Sequence, residues 1–561
     1  MRRIGGGTGP AGQGTGNGTG QGTGDKPPAR RRLPAASGAG VTAPVAAASH
    51  GSVLRGLDKR SFAAPGTREG RIGVIDAGSN SVRLVVFEGG SRSPSVVHNE
   101  KVMCGLGRGL AQTGLLNPEG ATRAMAAMRR FAAVADHLNV ATLAGVATAA
   151  IRDADDGPAF RDAVEVETGI RLKVASGEDE ARLAVKGVLF GDPRADGVVA
   201  DLGGASLELG RVDRGRIGAG VTTPLGPLRL DEAGDPDAVI DAELRRLPAA
   251  IRRGAHCIYL VGGAWRAFAR VDMETRDWPL KVLHEYRMNG ADALTLAKRM
   301  RRMAPAELAA IDGVSESRAA GLPMTARLMR GLVETLSPET IIVSAYGLRE
   351  GICLEAMPDH LATADPLLSA ATAIEAVHAR TPGFGRELGT WVTAALPPQN
   401  AEEARLIRAS ALLADISWRA HPDHRVLAAW EISTRATLTG IGHEGRMFIA
   451  LALAARYRRN RKAVMTNDAM SLVSEAQAAR AGAIGLALRL GCSVAASAKG
   501  VLPHSRLTRD GGDLRLVLAP NVAEMAGEDL EKRLSQLAKA MGLTSGGVVI
   551  GPPRKPDLGR P

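Results

Sequence analysis

Two hexapeptides carry the first chemistry of this chain: DAGSNS (Asp76 to Ser81) and DLGGAS (Asp201 to Ser206), both D-x-G-x-x-S. Each follows a short apolar run and leads straight into another, VRLVVF or LELGRV. The pattern predicts a strand ending at the aspartate, a tight turn, and a returning strand. In such turns Gly78, Ser79, Asn80 and Ser81, and Gly203, Gly204 and Ser206, offer N–H and hydroxyl donors, a cradle for phosphate oxygens. Asp76 and Asp201 repel phosphate but can hold a hydrated Mg2+ that attracts it. The exits differ. Arg83 follows the first turn and is suited to gripping anions; Glu208 follows the second and is expected to face Asp201 as a second metal ligand or a water-orienting group. One such turn is an ordinary hairpin, whereas two in matching contexts predict two related lobes facing one phosphate site.

Other segments add candidates. SGEDEARL places Glu178, Asp179 and Glu180 at a helix start, where acids complement the helix dipole. Arg152, after VATAAI, either grips phosphate bidentately or pairs with Asp153 or Asp155. Gly262 and Gly263 in VGGAWR either admit close backbone approach to a ligand or form a plain strand-to-helix turn. GLGRG lacks dinucleotide-fingerprint spacing, and with no GK dipeptide in the chain a P-loop is excluded.

These residues need a scaffold, and 561 residues suffice for several cores. From residue 71 strand-like runs (IGVI, VATLAGVAT, VVADL, CIYLVGG, TIIVSAYG) alternate with helical periodicity at 118–138, 179–189, 288–302 and 322–335, an α/β reading. Residues 365–500 read as helical throughout. DLRLVLAP reads as a strand, 527–541 as a helix, and the last residues as a frayed end. Residues 1–70, Gly/Ala/Pro-rich, carry +7 of the net +12 and read as a disordered basic tail. Four scattered cysteines without a CxxC pair fit a reducing compartment. The N-terminus lacks a signal-type apolar region, and Met447–Ala455 is too short to span a bilayer, so a cytoplasmic protein without membrane or DNA partners is expected.

DAGSNSVRLVV and DLGGASLEL resemble the two phosphate motifs of the exopolyphosphatase/guanosine pentaphosphatase (Ppx/GppA phosphatase) family, within the acetate-kinase/sugar-kinase/Hsp70/actin superfamily. VATAAIRDADDGPAF, ASGEDEARLAVKGV, TTPLGPLRL, VGGAWRAFAR and SAYGLREG resemble further family segments, in order, across residues 71–355. The chain departs from the family at Ala205, where a third glycine is usual and a positive φ would be resisted. It departs again at Leu207, where threonine is usual, and at Gly105, where an arginine is usual and Arg108 is the nearest replacement.

The resemblance implies a two-lobed actin-like/RNase H-like ATPase fold with lobes at 71–198 and 199–355. An all-α HD-like domain at 365–505, a small α/β segment at 506–545 and a tail at 546–561 would follow. It implies a Mg2+-dependent exopolyphosphatase acting on inorganic polyphosphate, as a homodimer, with Glu180 as catalytic base and Asp201 and Glu208 beside it. Asp76, Asp201 and Glu208 would hold the metal; Arg349 would be structural. Guanosine pentaphosphate hydrolysis, phosphoryl transfer to a nucleotide and a non-catalytic sensor are the alternatives. In the helical region ALLADIS lacks a His-Asp pair, and His421, Asp423, His424 and His443 are spaced too irregularly for a metal site. Arg419, Arg425, Arg446, Arg458, Arg459, Arg461 and Lys462 form either a polyanion track or a solvated basic face.

Overall fold

The computed structural model describes residues 70–457 and 467–552. The basic tail, Arg458 to Lys462 and residues 553–561 lie outside the described residues, as do the expectations placed on them. The first sheet contains β1 (Ile72–Ala77), β2 (Ser81–Phe87), β3 (Val96–Met103), β4 (Thr142–Ala147) and β5 (Leu172–Val174), in the order β3-β2-β1-β4-β5. β2 and β3 run antiparallel to their neighbours, whereas β4 and β5 continue parallel to β1.

The second sheet contains β6 (Gly197–Leu202), β7 (Leu207–Asp213), β8 (Arg216–Thr223), β9 (Cys257–Val261), β10 (Tyr286–Asn289) and β11 (Thr340–Val343). Its order, β10-β11-β9-β6-β7-β8, repeats the first with one antiparallel strand added at the end. This duplication is the one expected of an actin-like fold. β1 reads as an unbroken apolar run because both its faces are covered. Ile75 and Ala77 pack with Met128 and Phe131, and Ile72 and Val74 with Leu183 and Ile352. β3 and β8 escape sequence detection because they are edge strands, largely exposed and without such a run.

The helices Gly177–Gly191 and Leu348–Ala356 cross closely between the sheets. A Cβ on Gly187 would stand 2.1 Å from the Gly347 carbonyl oxygen, and one on Gly351 2.1 Å from that of Leu183. Arg182 and Lys186 both pair with Glu355 across this crossing. The glycines of the SGEDEARLAVKGV and GLREG segments are there for backbone approach.

Residues 366–494 form helices with no strand among the described residues. Their core is continuous with a third sheet, β12 (Ser505–Asp510), β13 (Asp513–Leu518) and β14 (Thr544–Ile550). Leu514, Leu516, Leu530 and Leu534 pack in one cluster with Leu388, Ile407, Leu451 and Leu488. The tail expected from residue 546 is corrected: β14 pairs in parallel with β13. Gly546 and Gly547, which read as breakers, sit where the register shifts, with Gly547 at φ 79°. His443 is buried at the junction with the second lobe. Its Nδ1 accepts from Trp278 Nε1 at 2.8 Å and its Nε2 lies 2.8 Å from the Val282 carbonyl oxygen. Burial pushes its pKa down to about 4, which suits a neutral structural imidazole.

Gly351→Ala is expected to cost about 1–3 kcal/mol of stability, because the new methyl meets backbone that cannot swing aside. Gly482→Ala, mid-helix with nothing within 4 Å of the new atom, should gain about 0.5–1 kcal/mol. Thermal unfolding of the two variants checks both signs.

Candidate functional site

Both D-x-G-x-x-S turns are closed by the same bond, Gly78 N–H to the Ser81 carbonyl and Gly203 N–H to the Ser206 carbonyl, each 3.0 Å. Strand register sets Asp76 opposite Arg83 and Asp201 opposite Glu208. A Cβ on Gly204 would stand 3.5 Å from Ser79 Cβ and 3.8 Å from Asn80 Cβ, so the turns meet across the seam. Ala205 needs no special backbone. Neither it nor Gly78, Gly203 or Gly204 has a positive φ, which corrects the expectation of strain at that position. Gly226 packs on the Ala205 backbone, where a Cβ would come within 2.1 Å of the carbonyl carbon.

The turns line a cavity of about 430 Å³ together with Asp76, Glu180, Asp201, Ser206, Glu208, Gly262 and Gly263. Glu180 enters from the first turn of helix Gly177–Gly191, whose Ser176–Asp179 capping box occupies Asp179 and leaves Glu178 exposed. Thr222 Oγ1 donates to Glu208 Oε1 at 3.0 Å. Gly262, at φ 116°, lies where a Cβ would stand 2.7 Å from the Leu202 carbonyl oxygen and 3.4 Å from Asp201 Oδ1, a position only glycine fills.

The acids raise one another. Burial, then Glu208 and Asp76, push Asp201 up to about 7. Burial, then Glu208, push Glu180 up to about 8, against the pull of Arg152. Asp76 and Glu208 are also raised, chiefly by burial. Among the described residues, no three acidic, histidine or cysteine side chains gather closely enough to hold an ion alone.

Arg83, Lys101, Arg266, Arg318 and Arg349 line the same cavity. Burial, then Arg318 and Arg83, pull Lys101 down to about 8; burial, then Arg349, lower Arg83 to about 10. Arg266 is lowered by burial and by Arg349. Arg349, expected to be structural, is therefore corrected to a cavity residue. Lys101, Arg266 and Arg318 were missed. Lys101 sits on the undetected β3 and Arg318 in a featureless segment, but Arg266 stands one turn into the helix that VGGAWR opens. Arg152 does not line the cavity. It bonds Glu180, the Ala175 carbonyl at 3.0 Å and Asp153 Oδ1 at 3.1 Å. Arg108 does not line it either. A second cavity of about 420 Å³ shares Arg83, Arg266 and Arg349, and reaches Arg435 and Arg446 of the helical region.

Comparison with known proteins bears on the family. Residues 85–360 match the Ppx/GppA phosphatase family and residues 367–546 match the family's exopolyphosphatase C-terminal region. The chain belongs to the Ppx/GppA phosphatase family. Exopolyphosphatase 1 of Mycobacterium tuberculosis is 28% identical over 304 residues, 51% of this chain and 87% of the relative. Exopolyphosphatase 2 of the same organism is 26% identical over 315 residues, 51% of this chain and 98% of that one. A solved exopolyphosphatase from Cytophaga hutchinsonii, 24% identical, covers 51% of this chain and 99% of its own, with a TM-score of 0.47.

Asp201→Asn is expected to raise thermal stability in chelator-containing buffer. A carboxyl raised in the folded state costs stability as pH climbs from the ordinary carboxylate range to about 7. The gain should be absent near pH 4, grow through that window and stay constant above it. Unfolding midpoints across the pH range provide the check.

Proposed function

We propose that this chain is an exopolyphosphatase, releasing terminal orthophosphate from inorganic polyphosphate. The observation that carries this is the pairing of two facing phosphate turns and four acids with a run of cations extending into a second cavity. A polyanion longer than one cavity meets arginine along that run. In the reaction, water attacks the terminal phosphorus, the bridging P–O bond breaks, and the shortened chain leaves with the bridging oxygen. Ionised Glu180 takes the water's proton, and Arg152 holds its carboxylate. The turns orient the terminal phosphate, and Arg266 and Arg349 balance its charge.

Family members generally use divalent metal ions. The buried, mutually raised acids fit such an ion, with Mg2+ held by Asp76, Asp201 and Glu208 and its shell completed by water and phosphate oxygens. When bound, Mg2+ would offset the phosphate charge. The proposal places the enzyme in the cytoplasm as a homodimer, with lobes at 71–198 and 199–355 and an HD-like helical domain at 365–505. Among the described residues no helix is long and apolar enough to cross a membrane. Guanosine pentaphosphate is the second reading, favoured by Val85, Val96, Leu283 and Leu438 beside His284 and Tyr346 in the second cavity, a wall that suits a base.

With Mg2+ and long-chain polyphosphate the protein is expected to release orthophosphate, and Glu180→Gln to lower kcat by about 10²–10⁴-fold. Preference for guanosine pentaphosphate would overturn the substrate assignment, and undiminished release by Glu180→Gln would overturn the base.

A further inference from the structure

The base is held by a chain of ion pairs that runs outside the cavity. Glu180 bonds Arg152, whose Nε donates to Asp153 Oδ1 at 3.1 Å. The other oxygen, Asp153 Oδ2, accepts from Arg229 Nη2 at 2.8 Å. Arg229 belongs to the second lobe, on the short helix Pro227–Leu230. The preceding residue of that helix donates from Leu228 N–H to the Gly204 carbonyl at 2.9 Å. A connected path therefore links the second phosphate turn to the base across the seam. Arg152, Asp153 and Arg229 do not line the cavity, so none of them is placed to touch substrate.

We propose that Asp153 and Arg229 are positioning residues that couple approach of the two lobes to the aim of Glu180. The proposal rests on Glu180 as the base. Asp153 divides its two oxygens between Arg152 of its own lobe and Arg229 of the other. Without Arg229, Asp153 is free to turn, and its hold on Arg152 Nε no longer fixes the plane in which Nη1 faces Glu180. With Arg229 engaged, Asp153 is anchored at both oxygens and Arg152 keeps Glu180 in place. Asp153 and Arg229 are each about one-third or more exposed, at 33% and 40%. Such a pair adds little to stability, as a contact made and broken with lobe movement requires.

The test uses the full chain with long-chain polyphosphate and Mg2+. Arg229→Gln is expected to lower kcat by about 10–100-fold through misplacement of the base, with KM held within about twofold. Arg229→Lys, which keeps a charge for Asp153, should restore most of kcat. In an Asp153→Asn background, where the carboxylate that links Arg152 to Arg229 is gone, Arg229→Gln should change nothing further. A rise in KM with kcat intact would make Arg229 a substrate contact and overturn the proposal. Losses that multiply in the double variant would overturn it too. Unfolding midpoints confirm that each variant is folded, and Asp153→Glu serves as a second probe of the same position. Should Glu180→Gln keep full activity, the base assignment fails separately, whatever Arg229 does.

Discussion

Like charges buried together at the ends of central strands are the constraint around which this molecule is arranged. Asp76 and Asp201 end β1 and β6, and Glu208 and Glu180 are brought against them from the returning strand and a helix start. Burial and mutual repulsion raise the group. In the same cavity, Arg83, Lys101, Arg266, Arg318 and Arg349 crowd one another in the same way. The acids call for a cation and the basic residues for an anion. The proposed metal–phosphate complex would satisfy both at once.

The rest of the fold serves that meeting. Repeating one strand order in two sheets makes two equivalent turns, and the glycine-based crossing of helices Gly177–Gly191 and Leu348–Ala356 sets the lobes close enough for those turns to touch. The same helix that packs at the crossing presents Glu180 at its first turn. Core packing and the placement of Glu180 are thus properties of one element. The helical region and third sheet share a single core and bring Arg435 and Arg446 to the second cavity.

The turns were legible because glycine, serine and aspartate between apolar runs have few other uses, and strand pairing then fixed Asp201 opposite Glu208. Central strands were legible through their continuous apolar runs. Edge strands were not, since β3 has four polar residues in a row at its centre and is largely exposed; Lys101 was lost with it. β14 was hidden by two glycines that make a register shift, not an end. The cations were the hardest to find, because Arg266, Arg318 and Arg349 come together only through packing. Arg152 showed the reverse: read as a phosphate grip or a partner of Asp153 or Asp155, it bonds Asp153 and Glu180 and does not line the cavity.

The central claim is that the two turns serve one phosphate site. Amide hydrogen exchange of the Glu180→Gln protein, with and without Mg2+ and tripolyphosphate, tests it most directly. Protection is predicted to rise together in Gly78–Ser81 and Gly203–Ser206, at the same ligand concentration. Protection of one turn with the other unchanged would contradict the account.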